Sequence, residues 1–396
     1  MRIAHISSSI SRLGGGVSKV VRDLAEAQAG NVDDIHIYTL LDEYTHRDQP
    51  NHTGITIFPC PVTLSRRFGY SRSLQRALSQ QAGSIDIIHL HGLWMYPNLA
   101  AGNVARKTAI PYILSPHGML DSRSLNISKG KKQLVKFAFE GRNINNATCL
   151  HACSEMEADH IRQFGYDGPI AIIPTGLTRS ELFDSLPATS GNSPLLQNFP
   201  QLTGKKILLF LSRLHEQKGL HFLLEAWQSV SGNFPDWHLV IAGDGEPVYV
   251  MELQKAVHMA GMAESVTFTG PMHGAEKWDL MKKSGIFILP TYSENFGLVV
   301  VEALACGVPV ITTKGAPWGE LATEACGWWI DIGTQPLEEC LVKALSLSEN
   351  ELAAMGQKGR LMVESRYVID VTAQIMRSVY LWMLNGGPVP GCVRVN

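Results

Sequence analysis

IFILPTYSENFGLVVVEALACGVPVITT, residues 286–313, holds a strand, a loop, a helix and a second strand in one passage. Ile286–Leu289 is a short apolar run stopped by Pro290, as a buried strand would be. Leu298–Ala305 reads as a helix, and Val308–Thr312 as the next strand. A strand returning through a helix to another strand predicts a parallel sheet covered on both faces.

The loop between strand and helix carries chemistry. The helix beginning near Leu298 offers N–H groups and a positive dipole end to an anion. Gly297 lets the backbone come close, with Asn295 and Phe296 beside it. Glu294 stands in the loop, and Glu302 about one turn inside the helix. Helical side chains lean toward the N-terminus, so Glu302 also reaches back toward the anion. Two carboxylates beside an anion pocket suit hydroxyl groups that donate hydrogen bonds. Full solvation of Glu302 is the plainer alternative, but Val299–Val301 and Ala303–Ala305 surround it with apolar side chains.

The same rhythm runs outward in both directions. Strands are expected at Lys206–Leu211, His238–Ile241 and Val266–Thr269, with a helix at Gly219–Gln228. An earlier series has strands at Arg2–Ser7, Ile35–Leu40, Ile55–Phe58, Ile85–His89, Tyr112–Leu114, Cys149–Ala152 and Ile170–Ile173, with a helix at Val17–Gln28. Between the series, SLPATSGNSPLLQNFPQLTG is rich in Ser, Pro, Gly and Asn, as a linker is. With 396 residues, two domains are expected: 1–184 and 205–369, joined by 185–204 and followed by a last helix, roughly Val371–Leu384, within 370–396. The fold class is α/β, one architecture used twice. Ligands of such sheets bind at the carboxyl ends of the strands.

Three further loops follow strands. Gly14, Gly15 and Gly16 precede the first helix, where a phosphate approach and a plain tight turn are both open readings. The pattern is not the GxGxxG of dinucleotide binding. Arg213 and Lys218, in LLFLSRLHEQKGL, share one strand-to-helix loop, and their cationic groups suit a diphosphate. His117 follows the strand Tyr112–Leu114, before Gly118. His89 and His91 share a strand face in IIHLHGLW, but no third metal ligand is apparent, so hydrogen bonding or ligand contact is expected and no metal. No DxD motif ends a strand, and Asp244-Gly245-Glu246 reads as a turn near the ligand.

Composition narrows the class. Net charge is −2, so the molecule as a whole is no polyanion binder. Seven scattered cysteines without a CxxC pair predict reduced thiols. MRIAHISSSI lacks the apolar region of a signal peptide, and no apolar run has the length of a membrane span. A cytoplasmic protein is expected, with contact to the inner face of a membrane left open.

Together these residues resemble glycosyltransferase family 4, the retaining GT-B enzymes (glycosyl transferases group 1), over nearly the whole chain. SRLHEQKG is similar to the family's diphosphate motif, and ENFGLVVVE to its E-x7-E motif with Glu294 and Glu302 as the two acids. PVITTKGAPWGEL and CGWW are similar to the segment that follows in polysaccharide-building members. The resemblance implies two Rossmann-like domains facing each other across a cleft. The N-terminal one would bind the acceptor, with the last helix packing back on it, and the C-terminal one the nucleotide-sugar donor. It implies that Arg213, Lys218, Asn295 and the backbone of Phe296, Gly297 and Leu298 bind the donor. Glu294 would hold the transferred sugar and Glu302 the ribose, with Gly15 and Gly16 near the phosphate. His117 and Glu294 would stand at the reacting carbon; Gly14, His91 and Trp94 would meet the acceptor. A metal-independent same-face displacement is implied, and the nucleotide sugar is a substrate, not a cofactor. UDP-sugars such as UDP-glucose are expected first, then GDP-mannose.

Residues 60–145 are basic. Arg66, Arg67, Arg72, Arg76, Arg106, Lys107, Arg123, Lys129, Lys131, Lys132, Lys136 and Arg142 face only Asp86, Asp121 and Glu140. With Leu134 and Phe137 nearby they suit an anionic membrane or a lipid diphosphate, or else form a solvated face. Aromatic residues are not interleaved as a nucleic-acid platform requires. A sugar-nucleotide epimerase of the same architecture and a non-catalytic nucleotide-sugar-binding protein are the competing readings.

Overall fold

In the computed structural model, which describes residues 1–30, 33–64, 67–185 and 194–395, the expected strands form two separate sheets. The first contains β1 (Arg2–Ser7), β2 (Asp34–Leu40), β3 (Ile55–Cys60), β4 (Ile87–His91), β5 (Tyr112–Ser115), β6 (Cys149–Ala152) and β7 (Ile170–Ile172). The second contains β8 (Lys206–Leu211), β9 (Trp237–Ala242), β10 (Val266–Gly270), β11 (Ser284–Leu289), β12 (Val310–Thr313) and β13 (Gly327–Ile330). The short β14 (Val393–Arg394) returns to the first sheet, antiparallel to β7; every other strand pair is parallel.

Strand order is β14-β7-β6-β5-β4-β1-β2-β3 in one sheet and β10-β9-β8-β11-β12-β13 in the other. Each sheet therefore reverses its winding once: between β1 and β4, and between β8 and β11. At such a reversal the adjacent loops part, leaving a crevice at the carboxyl ends of the strands. The loops singled out from the sequence follow β1, β5, β8 and β11, and β5 lies next to β4 at the first reversal.

Strand β4 runs two residues later than expected. A 3-10 turn at Ala82–Ser84 precedes it, and Asp86 bonds to Arg2 by its N–H and its carboxylate before pairing begins. The polar His89 and His91 looked like a strand end but lie buried inside it.

The helix Ile369–Asn385 buries Ile369, Thr372, Ala373, Met376, Val379 and Tyr380, a helical spacing that places them on one face. Met376, Val379 and Tyr380 pack with Val21 and Ala25 of the helix Gly15–Ala29 and with Ile87 and Ile113 of the sheet. Each fully buried large side chain contributes about 1.5–3 kcal/mol, so this face suffices to hold the helix on the first domain.

The domain boundary differs from the expected 185–204. The first unit comprises Met1–Gly176 and the chain from Ile369 onward, and the second is Leu177–Val368. Leu177 donates its N–H to Tyr367 O at 2.8 Å and bridges to Val368, which ties both ends of the second unit together. The helix Arg179–Asp184, closed by a Thr178–Glu181 capping box, belongs to that unit. Of the expected linker, Pro194–Asn198 and Pro200–Leu202 form helical turns, and 186–193 lie outside the described residues, as does Arg66.

Candidate functional site

In the second domain, two loops at the reversal are stitched together. Arg213 and Lys218 lie on the loop after β8; Tyr292–Gly297 lie on the loop after β11. Gln217 O accepts from Tyr292 N (2.9 Å) and Thr291 Oγ1 (3.0 Å), and Gln217 Nε2 donates to Ser293 O at 3.1 Å. Gly219 is left-handed (φ 69°) and faces the Pro290 carbonyl, which a Cβ would strike, so the loops pack more closely than a larger residue allows.

Lys218 pairs with Glu294 across these loops, both mostly buried. Arg213 is exposed and makes no hydrogen bond or ion pair among the described residues. The Asp244–Glu246 turn supports its loop: Leu214 N donates to Asp244 O at 2.6 Å. That turn, expected to lie near the ligand, serves here as a buttress of the Arg213 loop.

The helix Leu298–Ala305 starts from Gly297 in the left-handed region (φ 81°), with no side-chain cap. Gly297 itself has no side chain to bond the N–H groups of the first turn, which point toward the loop. Trp318, fully buried, donates Nε1–H to Phe296 O at 2.5 Å and packs against Phe296 and Tyr367. Glu294 N donates to Gly315 O at 2.8 Å. The GAPW segment therefore braces this loop. Glu302 is only 6% exposed and pairs with Lys277 Nζ at 2.9 Å, so the solvated reading fails. Lys277, from the helix Gly274–Lys282, was not singled out, because its surroundings AEKWDL look like any surface helix.

In the first domain, Gly15 and Gly16 are exposed at the start of the helix Gly15–Ala29, and no atom would contact a Cβ built at either. Gly14 is different: a Cβ there would meet the Ser18 hydroxyl, so a larger residue would have to displace that side chain. Trp94 has a left-handed backbone (φ 73°), with its N–H bonded to Glu140 Oε2 at 2.7 Å and its Nε1 buried without a partner. Burial raises Glu140 to about 7, and its Oε1 is also unpartnered.

Trp94 lines a cavity of about 360 Å³ together with Leu120, Leu125, Lys129, Lys132, Lys136 and Phe164. Lys132 lies 5.8 Å from the Trp94 ring centre, and Lys136 lies 3.9 Å from that of Phe164. Ile127, Leu134 and Phe137 are exposed on the same stretch, Phe137 at 94%. The helix there widens to a π turn at Lys136–Glu140, a form common at functional sites.

His117 has a left-handed backbone (φ 52°), followed by left-handed Gly118, whose N–H donates to Glu157 Oε1 at 2.6 Å. A non-glycine residue in that region costs of order 1–2 kcal/mol, offset here by the Glu157 anchor. Burial lowers the His117 imidazole to about 3. His91 needs correction as an acceptor contact. It is 3% exposed, and its two ring nitrogens bond to His5 and His117, so none is free for a ligand.

The third histidine that the sequence did not reveal is His5, paired with His89 across β1 and β4. His5, His89 and His91 bring nitrogens within 4.8 Å of one another, close enough for a cation. All six of their ring nitrogens are engaged in hydrogen bonds, to each other or to Gln28, Tyr380, Ser115 and His117. A metal would have to break that network, so the donor set fits hydrogen bonding better.

Two Rossmann-like domains, each with polar loops at its winding reversal, define the GT-B class. Residues 195–362 match the family of glycosyl transferases group 1, and residues 15–176 match the glycosyl transferase 4-like domain. The chain is 30% identical over 318 residues to the D-inositol 3-phosphate glycosyltransferase of Arthrobacter sp. (strain FB24), covering 76% of this chain and 74% of that one. It is 24% identical to the GDP-mannose:cellobiosyl-diphosphopolyprenol alpha-mannosyltransferase of Xanthomonas campestris, covering 88% of each. The Anabaena HepE structure in complex with UDP has the same fold, with a TM-score of 0.76 at 19% identity over 96% of this chain and 99% of that one. The chain belongs to glycosyltransferase family 4.

Proposed function

We propose that the protein is a retaining glycosyltransferase. It moves a hexose from a nucleoside-diphosphate sugar to a saccharide or lipid-linked saccharide, in cell-surface polysaccharide or glycolipid assembly. UDP-sugars are the first candidates and GDP-mannose the second, in keeping with the UDP in HepE and the GDP-mannose in the name of the Xanthomonas relative. The observation that carries this reading is the placement of Arg213, Lys218, Glu294 and an uncapped helix start on the two loops flanking the β8–β11 reversal.

On this reading Arg213, Lys218 and the N–H groups of Phe296–Leu298 take the diphosphate. Lys218 leaves Glu294 for the phosphate, and the freed carboxylate accepts from hydroxyls of the transferred sugar. Glu302 keeps Lys277 on one oxygen and offers the other to the ribose. His117 meets the sugar near its anomeric carbon, and the loop at Gly15 and Gly16 approaches the phosphate. The bond from anomeric carbon to diphosphate breaks, the acceptor oxygen bonds on the same face, and its proton passes to the departing phosphate oxygen. The protein supplies position and charge. Cationic side chains and the helix dipole neutralise the leaving group, so we assign no metal to the reaction.

The acceptor is assigned to the first domain, at the cavity lined by Trp94 and by Lys129, Lys132 and Lys136. Apolar walls with lysines at the rim suit an anionic amphiphile such as a lipid diphosphate. Exposed Ile127, Leu134 and Phe137 among lysines suit a peripheral seat on an anionic, cytoplasm-facing membrane. No helix among the described residues is long and apolar enough to cross a membrane.

The test is incubation with UDP-glucose and with GDP-mannose, following the first-formed sugar by proton NMR. Slow hydrolysis that releases the donor's own anomer, or transfer that keeps it, is expected. The opposite anomer would overturn retention; an epimeric donor would identify an epimerase; binding without turnover would leave a nucleotide-sugar-binding protein.

A further inference from the structure

One set of polar groups inside the first domain forms an unbroken run of hydrogen bonds. Its fixed point is the carbonyl of Ile173, which can only accept a hydrogen bond. His151 Nε2 lies 2.9 Å from it and so must carry the hydrogen. A neutral imidazole has one N–H, so His151 Nδ1 is bare and accepts from Ser115 Oγ at 2.7 Å. Ser115, its hydrogen spent, accepts from His89 Nε2 at 2.7 Å. His89 Nδ1 is then bare and accepts from the Tyr380 hydroxyl at 2.6 Å. Tyr380 in turn accepts from Gln28 Nε2 at 3.3 Å, which turns Gln28 Oε1 toward His5 Nε2 at 2.7 Å. His5 Nδ1 accepts from His91 Nε2 at 2.9 Å, and His91 Nδ1 accepts from His117 Nε2 at 3.1 Å.

Every link points the same way, and no link can be reversed without setting two hydrogens or two lone pairs face to face. The imidazoles are neutral because burial disfavours their charged forms, lowering His5 to about 4, His117 to about 3, and His89, His91 and His151 below the ordinary value. The last ring in the run stands in the strained loop after β5.

We infer that this run sets His117 as the Nε2–H tautomer, leaving Nδ1 as a bare acceptor, and that Gln28 is the positioning residue that carries the polarity from Tyr380 to His5. The inference rests on the reading of His117 as a contact of the donor sugar and makes it more specific. A bare nitrogen takes a hydroxyl hydrogen and repels a phosphate oxygen. His117 thus selects a sugar hydroxyl, not the diphosphate, and the choice is made by a carbonyl eight hydrogen bonds away.

The experiment is long-range proton–nitrogen NMR on the full chain labelled with 15N-histidine, without donor, at pH 7.5. His117→Gln identifies the His117 signals by their loss. Protonated Nε2 and bare Nδ1 are expected at His117. A hydrogen on Nδ1, or an imidazolium, overturns the inference whatever His117 touches. Gln28→Leu is expected to yield mixed tautomers at His117 and to lower kcat/KM roughly tenfold, the worth of one misdirected hydrogen bond. Gln28→Glu, which keeps an acceptor oxygen, is expected to retain the wild-type tautomer. An unchanged His117 tautomer in Gln28→Leu would remove Gln28 from the account; if that variant does not fold, the wild-type spectrum alone decides. If His117→Ala leaves turnover intact, the donor-sugar contact falls and the tautomer result stands.

Discussion

Lys277 Nζ lies 2.9 Å from Glu302 Oε1 and joins the helix Gly274–Lys282 to the helix Leu298–Ala305. The carboxylate is nearly buried, so the lysine is its counter-charge as well as its anchor. Removing one partner of such a pair leaves the other charge buried and alone, a loss of about 3–5 kcal/mol. Lys277→Ala is therefore expected to unfold the second domain at markedly lower denaturant. Lys277→Met with Glu302→Gln should recover most of that stability while donor affinity stays weak. Equal stability of wild type and Lys277→Ala in urea titrations would contradict this.

Acid should weaken the first domain steeply. His5, His89, His91 and His151 are buried and have pKa values below the ordinary 6.5. Below that pH the unfolded chain binds protons that the folded chain refuses, so stability falls as pH drops toward the folded values. Each group removes up to about 1.4 kcal/mol per pH unit. Glu140 works in the opposite sense. Its carboxyl, raised to about 7 by burial, holds a proton in the fold between about 4.5 and 7, so its contribution grows on acidification. One carboxyl offsets one imidazole, and the remaining imidazoles, with His117 lowered to about 3 among them, leave a net loss of stability below pH 6.5. Thermal melts between pH 7.5 and 5 should show an early transition absent from a His5→Asn, His89→Asn variant's pH slope; a melting point flat across that range would count against the neutral cluster.

Membrane contact, if seated where we place it, depends on Leu134 and Phe137 as well as on the lysines. Leu134→Ser with Phe137→Ser is expected to cut binding to phosphatidylglycerol-rich vesicles about 100-fold or more, since each exposed side chain brings roughly 1.5–3 kcal/mol when buried in the interface. Wild-type binding that vanishes with salt but ignores these two substitutions would reduce the contact to charge alone.

The second domain was more legible in the sequence than the first. SRLHEQKG and ENFGLVVVE are contiguous: the first fills the loop between β8 and the helix Leu220–Val230, and the second runs from the loop after β11 into the helix Leu298–Ala305, so local pattern locates their side chains. Strand β4 slipped by two residues because histidines inside a strand buried on both faces look like its end. The brace at Trp318, the partner at Lys277 and the run from Ile173 to His117 were hidden for another reason. Gln28 and Tyr380 are 352 residues apart, and only the packing of the last helix onto the first joins them. His91 was read as either a hydrogen-bonding residue or a ligand contact on its strand face, and the sheet order that puts His5 beside β4 makes it the former, a support for His117. The boundary at residues 176–177 was missed because composition marks loops, whereas the crossing is made by the paired backbones of Leu177 and Val368.

The proposed donor site has Arg213 and Lys218 hold a pyrophosphate, and calorimetric titration of UDP and of GDP into wild type and into Arg213→Ala, Lys218→Ala tests this directly. Hydrogen bonds to charged groups are worth about 1.5–3 kcal/mol each, so the double variant should bind the preferred nucleotide at least about 100-fold more weakly while keeping its fold. Undiminished affinity in the double variant would contradict the placement of the donor.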